Sequence, residues 1–243
     1  MKNYLFDVDG TLTPHRRPML REHWGLFMCW MKGEQKKGNT VNIITGSDKD
    51  KTVKQVGHEI WNDCDNVWQN CGNELWQKGE LVYSSDWKVS GDFKILATSL
   101  MMASPWWGTA IGNIEQRKGM VNISTIGRAA THWQRRGYHE WEEAEKLAGR
   151  PSERIVIAEE LMLQFPHLDY SIGGHISIDI YPQGKDKGQV YDYFNEGKLI
   201  FFGDSISNKG NDYCLAKHMT SRNDMVYAVD SPARTMELLN VTT

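Results

Sequence analysis

No two cysteines stand in a CxxC pair, and the spacing of Cys29, Cys64, Cys71 and Cys214 suits no zinc ligand set. That excludes a zinc ribbon or a thioredoxin-like site and leaves four thiols that read as reduced. No run of about 18 apolar residues occurs, and the start of the chain lacks the charged, apolar and cleavage regions of a secretory leader. A membrane span and secretion are therefore not expected. A large excess of one sign of charge is lacking too. A net charge of −3 gives neither nucleic acid nor a membrane surface a reason to bind. There is no internal repeat and no low-complexity segment. Together these absences point to a cytoplasmic globular protein.

Within those limits, 243 residues suffice for one large domain or two small ones, at about 100–200 residues per domain. Hydrophobic residues make up 40% and charged residues 24%, an ordinary balance for a packed core with a solvated surface. The ten tryptophans are scattered from Trp24 to Trp141, which suits core filling better than a repeated motif.

The most informative stretch is YLFDVDGTLT, Tyr4 to Thr13. An apolar run of strand length ends in Asp7-Val8-Asp9, and Gly10 permits a tight turn into Thr11 and Thr13. Two carboxylates thus reach the carboxyl end of a strand, the edge at which open α/β sheets bind ligands. Asp7 can act as a nucleophile, Asp9 can move protons, and hard oxygen donors here suit Mg²⁺. An Asp-Gly turn also serves plain chain reversal. The full string resembles the nucleophile motif of the haloacid dehalogenase superfamily of phosphotransferases.

Along the chain, Pro18 to Lys37 has Leu20, Trp24, Phe27, Met28 and Met31 at helical spacing. Val41 to Ile44 reads as a buried strand ending in Thr45-Gly46-Ser47-Asp48, and a helix over 49–60 follows, capped by Ser47 or Asp48. Thr45 and Ser47 bring hydroxyls to a helix start, a natural phosphate site. A short strand at 66–69 and a hairpin over 74–83 come next. Then β-α alternation stops: a helical segment over 87–102, two strands within 112–124, helices over 131–147 and 152–165, and two strands meeting at Gly173-Gly174. That order describes a separate antiparallel α+β layer. An amphipathic helix from Asp186 to Phe194, strands at 199–202 and 225–229, and helices opened at 210–212 and capped by Ser231 resume the α/β pattern. The expected division is a core of residues 1–83 and 184–243 with an inserted domain of 84–183.

Several charged residues stand out in and around the insert. Arg117, Arg128 and Arg135 fall in RKGMVNISTIGRAATHWQR; guanidinium forks converging on one pocket would grip phosphate, whereas separately they are surface charge. Ser177 and Asp179 alternate along SIDIYP and so share one side of a strand. Lys187 sits where the core resumes and could neutralise a phosphoryl group on Asp7. Asp204 ends the apolar run LIFFGD as a third strand-end carboxylate. Asp212 suits either an outer group around a metal or a helix cap.

Four segments, FDVDGTLTPHR, RKGMVNISTIGR, SIGGHISIDIYPQGKDK and FFGDSISNKGND, resemble in order and spacing the motifs of the eukaryotic-type α-phosphomannomutases. The resemblance implies a haloacid dehalogenase-like Rossmannoid α/β core with a parallel sheet, and an inserted α+β cap with an antiparallel sheet. It implies a mutase acting on hexose phosphates, mannose 1-phosphate and mannose 6-phosphate, with Mg²⁺ and a hexose 1,6-bisphosphate activator, dimeric through the cap. By matching position it makes Asp7 the nucleophile and Asp9 the general acid/base, with Lys187 contacting the transferring group. Mg²⁺ falls to Asp7, Asp9 through its backbone, and Asp204. Arg16, Arg117, Arg128, Arg135, Ser177 and Asp179 fall to the sugar phosphate. The chain departs from the family at Thr45, where glycine is usual, at Asn70-Cys71-Gly72 in place of Glu-Asn-Gly, and at Lys185 in place of tryptophan. A sugar-phosphate phosphatase would use the same Asp7 and Asp9 but let water finish the reaction. A non-catalytic sugar-phosphate binder would have no need of Asp7, Asp9, Lys187 and Asp204 together.

Overall fold

A computed structural model describes residues 1–208 and 210–240. The chain opens with β1 (Lys2–Phe6), α1 (Arg21–Lys36), β2 (Thr40–Ile44), α2 (Lys49–Val56), α3 (His58–Asp63), β3 (Asn66–Gln69), β4 (Glu74–Gln77) and β5 (Glu80–Ser84). It continues with α4 (Gly91–Met102), β6 (Ile114–Arg117), β7 (Met120–Ile123), α5 (His132–Leu147), α6 (Glu153–Gln164), β8 (Leu168–Gly173) and β9 (Ser177–Pro182). A 3₁₀ segment (Lys187–Tyr193), β10 (Lys198–Gly203), α7 (Tyr213–Ser221), β11 (Met225–Ala228) and α8 (Pro232–Leu238) complete it. Two compact units result: residues 1–85 with 187–243, and residues 86–186.

The first unit is built on a seven-stranded sheet in the order β11-β10-β1-β2-β3-β4-β5. The β11, β10, β1, β2 and β3 pairs are parallel, and β4 and β5 add an antiparallel edge. β1 lies inside the sheet with both faces covered, which is why Tyr4, Leu5 and Phe6 run apolar without alternation. Tyr4 and Phe6 pack on one side with Phe27, Met31 and Phe202, while Leu5 packs on the other with Phe201 and Leu215.

Two local departures from the sequence expectation have physical causes. The helix expected over 49–60 breaks into α2 and α3 at Gly57, whose φ of +87° and extended ψ no helix accommodates. The helix expected from 186 is instead 3₁₀, tied by the buried Lys187 ammonium and by Gln189, whose amide donates to the Cys71 carbonyl at 2.9 Å. Such tertiary ties override the apolar periodicity.

The second unit holds a four-stranded antiparallel sheet in the order β6-β7-β9-β8. Period-two alternation divides its faces. Val121, Ile123, Ile178, Ile180 and Tyr170 pack under α4 and α6 against Phe93, Ala97, Ile157 and Leu161. The other face is polar, and register sets Glu115, Asn122, Asp179 and Ser171 in one row across all four strands. Nine tryptophans pack into or against the cores of the two units, Trp61 and Trp68 being buried in the first. Trp133 is 74% exposed.

Candidate active site

The carboxyl ends of β1 and β10 and the start of α7 bring the acids of the first unit together. Asp7 follows β1 and its N–H donates to the Phe202 carbonyl at 2.9 Å, which locks the strand end to β10. Asp204 follows β10 directly. Asp212 precedes α7 and makes no cap bond: its carboxylate accepts from Lys187 Nζ at 2.6 Å and from the Ser205 N–H at 3.1 Å. The three carboxylates offer oxygens within 4.8 Å of one another.

Two glycines make this convergence possible. Gly10 has φ +84°, and a Cβ there would lie 2.8 Å from both Asp204 Cγ and His15 Cε1. At Gly203 a Cβ would meet Asp212 Oδ2 at 2.7 Å. The turn after Asp7 is closed by Gly10 N–H donating to the Thr13 carbonyl at 2.8 Å and Thr13 N–H to the Val8 carbonyl at 2.9 Å.

Lys187 is wholly buried and donates to Asp7 Oδ1 at 2.7 Å as well as to Asp212. Burial alone would lower its pKa, but Asp212 and Asp7 outweigh that and hold the ammonium charged. Asp7 is pushed well above the usual carboxylate range by burial, with Lys187 opposing and Asp212 and Asp204 adding to the rise. Asp204 is pushed to about 6 by burial and by Asp212, against the pull of His15, which approaches it at 3.6 Å, and of Lys187. Three acids share one ammonium, so the cluster carries excess negative charge.

Asp9 points to a different set. Its carboxylate accepts from Lys51 Nζ, from the Arg16 backbone N–H at 2.6 Å and from Gln55 Nε2 at 2.9 Å. Burial raises its pKa, but Lys51 and these donors prevail and hold it below the usual value, ionised. Lys51 Nζ also donates to Ser47 Oγ at 2.8 Å, while Thr45 Oγ1 accepts from the Ser47 N–H at 3.1 Å. Helix α2 is capped by Asp48, which accepts from the Lys51 N–H at 2.8 Å. Lys51 and Gln55 escaped the sequence reading. Their signal was the four-residue spacing of Ser47, Lys51 and Gln55, one face of a helix leaving the site.

In the second unit Arg117, Arg128, Ser177 and Asp179 lie on the polar face of the sheet. Arg128 Nη1 donates to Ser177 Oγ at 2.7 Å, and Asn122 Nδ2 donates to Asp179 Oδ1 at 2.5 Å. Arg135 braces the preceding loop, donating to the carbonyls of Ala130, at 2.8 Å, and Arg128. Arg16 belongs to the first unit, where its residue is exposed and its backbone N–H serves Asp9.

A mainly parallel sheet with carboxylates at the ends of adjacent strands, beside a buried lysine, defines an α/β fold, and the solved structures it resembles share that fold. A HAD subclass IIB sugar phosphatase matches with TM-score 0.58 at 15% identity, covering 100% of both chains. The C-terminal domain of C. albicans trehalose-6-phosphate phosphatase matches with TM-score 0.63 at 16% identity, over 98% of this chain and 90% of that one. The fold is that of the haloacid dehalogenase superfamily. The description of the eukaryotic phosphomannomutase family matches residues 30–242. Phosphomannomutases of Solanum lycopersicum and Spinacia oleracea are 32% and 33% identical, over 98% and 96% of this chain and 92% of each of theirs. The chain belongs to the eukaryotic phosphomannomutase family, a family of enzymes.

Proposed function

We propose that this enzyme interconverts mannose 1-phosphate and mannose 6-phosphate, with Asp7 accepting and returning a phosphoryl group. The observation that carries the reading is the buried cluster in which Asp7 meets Lys187, with Asp204 and Asp212 alongside. Phospho-Asp7 gives its phosphoryl group to a free hydroxyl of the bound hexose phosphate; the Asp7 acyl-phosphate bond breaks, and the hydroxyl proton passes to Asp9. The hexose 1,6-bisphosphate so formed, also the activator that primes the enzyme, returns its other phosphoryl group to Asp7 while Asp9 gives the proton back to the sugar oxygen. Asp9 is held ionised, the form that accepts the first proton. Lys187 offsets the charge on the phosphoryl oxygens.

The donor set fits Mg²⁺: three hard carboxylates and a single ammonium leave excess negative charge on closely spaced oxygens. Asp7 and Asp204 with the Asp9 backbone carbonyl would hold it, and Asp212 would stand outside, orienting Lys187. When bound, the ion supplies electrostatic stabilisation of the transferring group. In the second unit, Arg117, Arg128, Ser177 and Asp179 serve as the grip on the substrate's other phosphate and hydroxyls, with Arg135 bracing the loop that carries Arg128. Arg16, Thr45 and Ser47 act from the first unit, near Asp9.

A homodimer through the second unit and a cytoplasmic setting, which four cysteines outside any disulfide fit, complete the reading. No helix among the described residues is long and apolar enough to cross a membrane. The test is a coupled assay with mannose 1-phosphate and a catalytic amount of hexose bisphosphate, run beside glucose 1-phosphate. Mannose 6-phosphate should form. Phosphate release without isomerisation would instead make the protein a sugar-phosphate phosphatase.

A further inference from the structure

The polar face of the second unit carries an acid where a phosphate grip calls for cations. Glu115 lies on β6 two residues before Arg117, so both side chains emerge on the same face. Its Oε2 takes Arg117 Nη2 at 2.6 Å and lies 3.2 Å from Arg128 Nε. Arg128 meanwhile holds Ser177 through Nη1. The Glu115 side chain is 38% exposed, against 10% for Arg117 and 22% for Arg128. A partly exposed ion pair contributes little to stability. A carboxylate on both guanidiniums is, however, a standing competitor for any phosphate they bind, because it uses the same charge-assisted donors.

We propose that Glu115 is a positioning residue that sets the strength of the phosphate grip. It holds Arg117 and Arg128 as a ready pair and cancels part of their charge, so that a phosphorylated hexose leaves fast enough for turnover. The inference rests on the reading that these arginines take the substrate's phosphate. Two cations brought to one pocket repel each other, and a carboxylate shared between them keeps the pair assembled before the ligand arrives. The same carboxylate must yield when phosphate enters, so affinity is moderated at its source. A mutase that releases a bisphosphate and rebinds it by its other end has an upper limit on useful affinity, since binding ground and transition states alike lowers KM without raising kcat. Once release becomes slow, kcat falls.

The sign of the effect separates this role from simple structural support. In Glu115→Gln the amide oxygen still accepts from an arginine while the charge is gone. Inorganic phosphate, titrated calorimetrically without Mg²⁺, should then bind about five- to tenfold more tightly. KM for mannose 1-phosphate should fall by a similar factor and kcat should fall with it. Glu115→Ala should tighten phosphate less, and Glu115→Asp, which keeps the charge, should not tighten it at all; one folded neutral variant is enough. A Glu115→Gln or Glu115→Ala enzyme, folded by thermal melting, that binds phosphate no more tightly than the wild type overturns the proposal. Arg128→Gln keeps the two failures apart. If it binds phosphate as the wild type does, the grip itself is misassigned. If it loses phosphate while the neutral Glu115 variants gain nothing, only the role of Glu115 falls.

Discussion

Among the described residues, each unit of the molecule buries one basic side chain against acids, and the two arrangements differ in whether the charges balance. In the second unit Arg154 meets Glu142 at 2.6 Å with both side chains almost wholly inaccessible. Glu142 also accepts from Ser152 Oγ at 2.6 Å and from the Arg154 N–H at 3.1 Å, and Arg154 spends its remaining donors on the carbonyls of Gly174 and Ser177. One charge meets one charge, and hydroxyl and backbone partners take up further hydrogen bonds. In the first unit Lys187 meets Asp7 and Asp212 with Asp204 close by, one cation among three acids. A closed, neutral pair joins α5, α6 and the β8–β9 turn and offers nothing to a ligand. An open, over-acidic cluster needs a cation from outside, and the energy of holding it together is available for chemistry.

The comparison breaks most sharply on Asp7. In Asp7→Asn, kcat for the mutase reaction should fall by about 10⁴-fold or more, because the amide cannot accept a phosphoryl group. Stability should not fall with it. Replacing one of three clustered carboxylates by a neutral isostere relieves repulsion, so Tm without Mg²⁺ should hold or rise. Turnover near wild type would remove Asp7 from the reaction. The balanced pair should respond in the opposite way. Glu142→Ala strands a buried guanidinium and should cost about 3–5 kcal/mol of stability in chemical denaturation. Below its melting transition it should keep kcat within a few-fold, since Glu142 reaches the polar face only through the backbone that Arg154 holds. A large drop in kcat with unchanged stability would turn that contrast upside down.

How visible each centre was in the sequence follows from how local its causes are. The strand before Asp7 and the turn at Gly10 are readable because an apolar run, two acids and a glycine lie in ten consecutive residues, and the strand ending in Asp204 announces itself in the same way. The split into alternating α/β and antiparallel parts was visible in element order alone. Asp212 was not settled, because a polar residue ahead of a helix caps it in most settings; here Lys187, 25 residues earlier, claims the carboxylate. Nothing nearby in sequence marks Cys71 and Asn70 as left-handed, with φ of +60° and +51°, since the turn is fixed by Thr45 and Ser47 carbonyls that accept their N–H groups. Glu142 and Arg154 look like ordinary helix-surface charges until α5 and α6 are placed against the β8–β9 turn. The spacing of Ser47, Lys51 and Gln55 marks one helix face, but nothing in it names Asp9, 42 residues earlier, as the acid that Lys51 meets.

The smallest expected effect tests the charge imbalance itself. Asp204 has its pKa raised to about 6 and Asp7 is raised well above the usual carboxylate range, both by burial first. A carboxyl whose folded pKa lies above its unfolded one binds protons more tightly when folded, so its stabilising contribution is complete below pH about 4 and is lost as pH rises through the folded value. Without metal, the first unit should therefore lose stability between pH 4 and pH 6. Mg²⁺ competes for the same oxygens and supplies the charge that the protons supplied at low pH. Its stabilising increment should thus grow with pH, from little at pH 5 to roughly 3–6 °C more in Tm at pH 7.5 for a chain of this size. Ca²⁺, larger and less exacting in geometry, serves as the comparison ion in the same melts. An Mg²⁺ increment that is flat across this range, or that survives Asp204→Asn unchanged, would place the ion elsewhere and leave the three acids held by Lys187 alone.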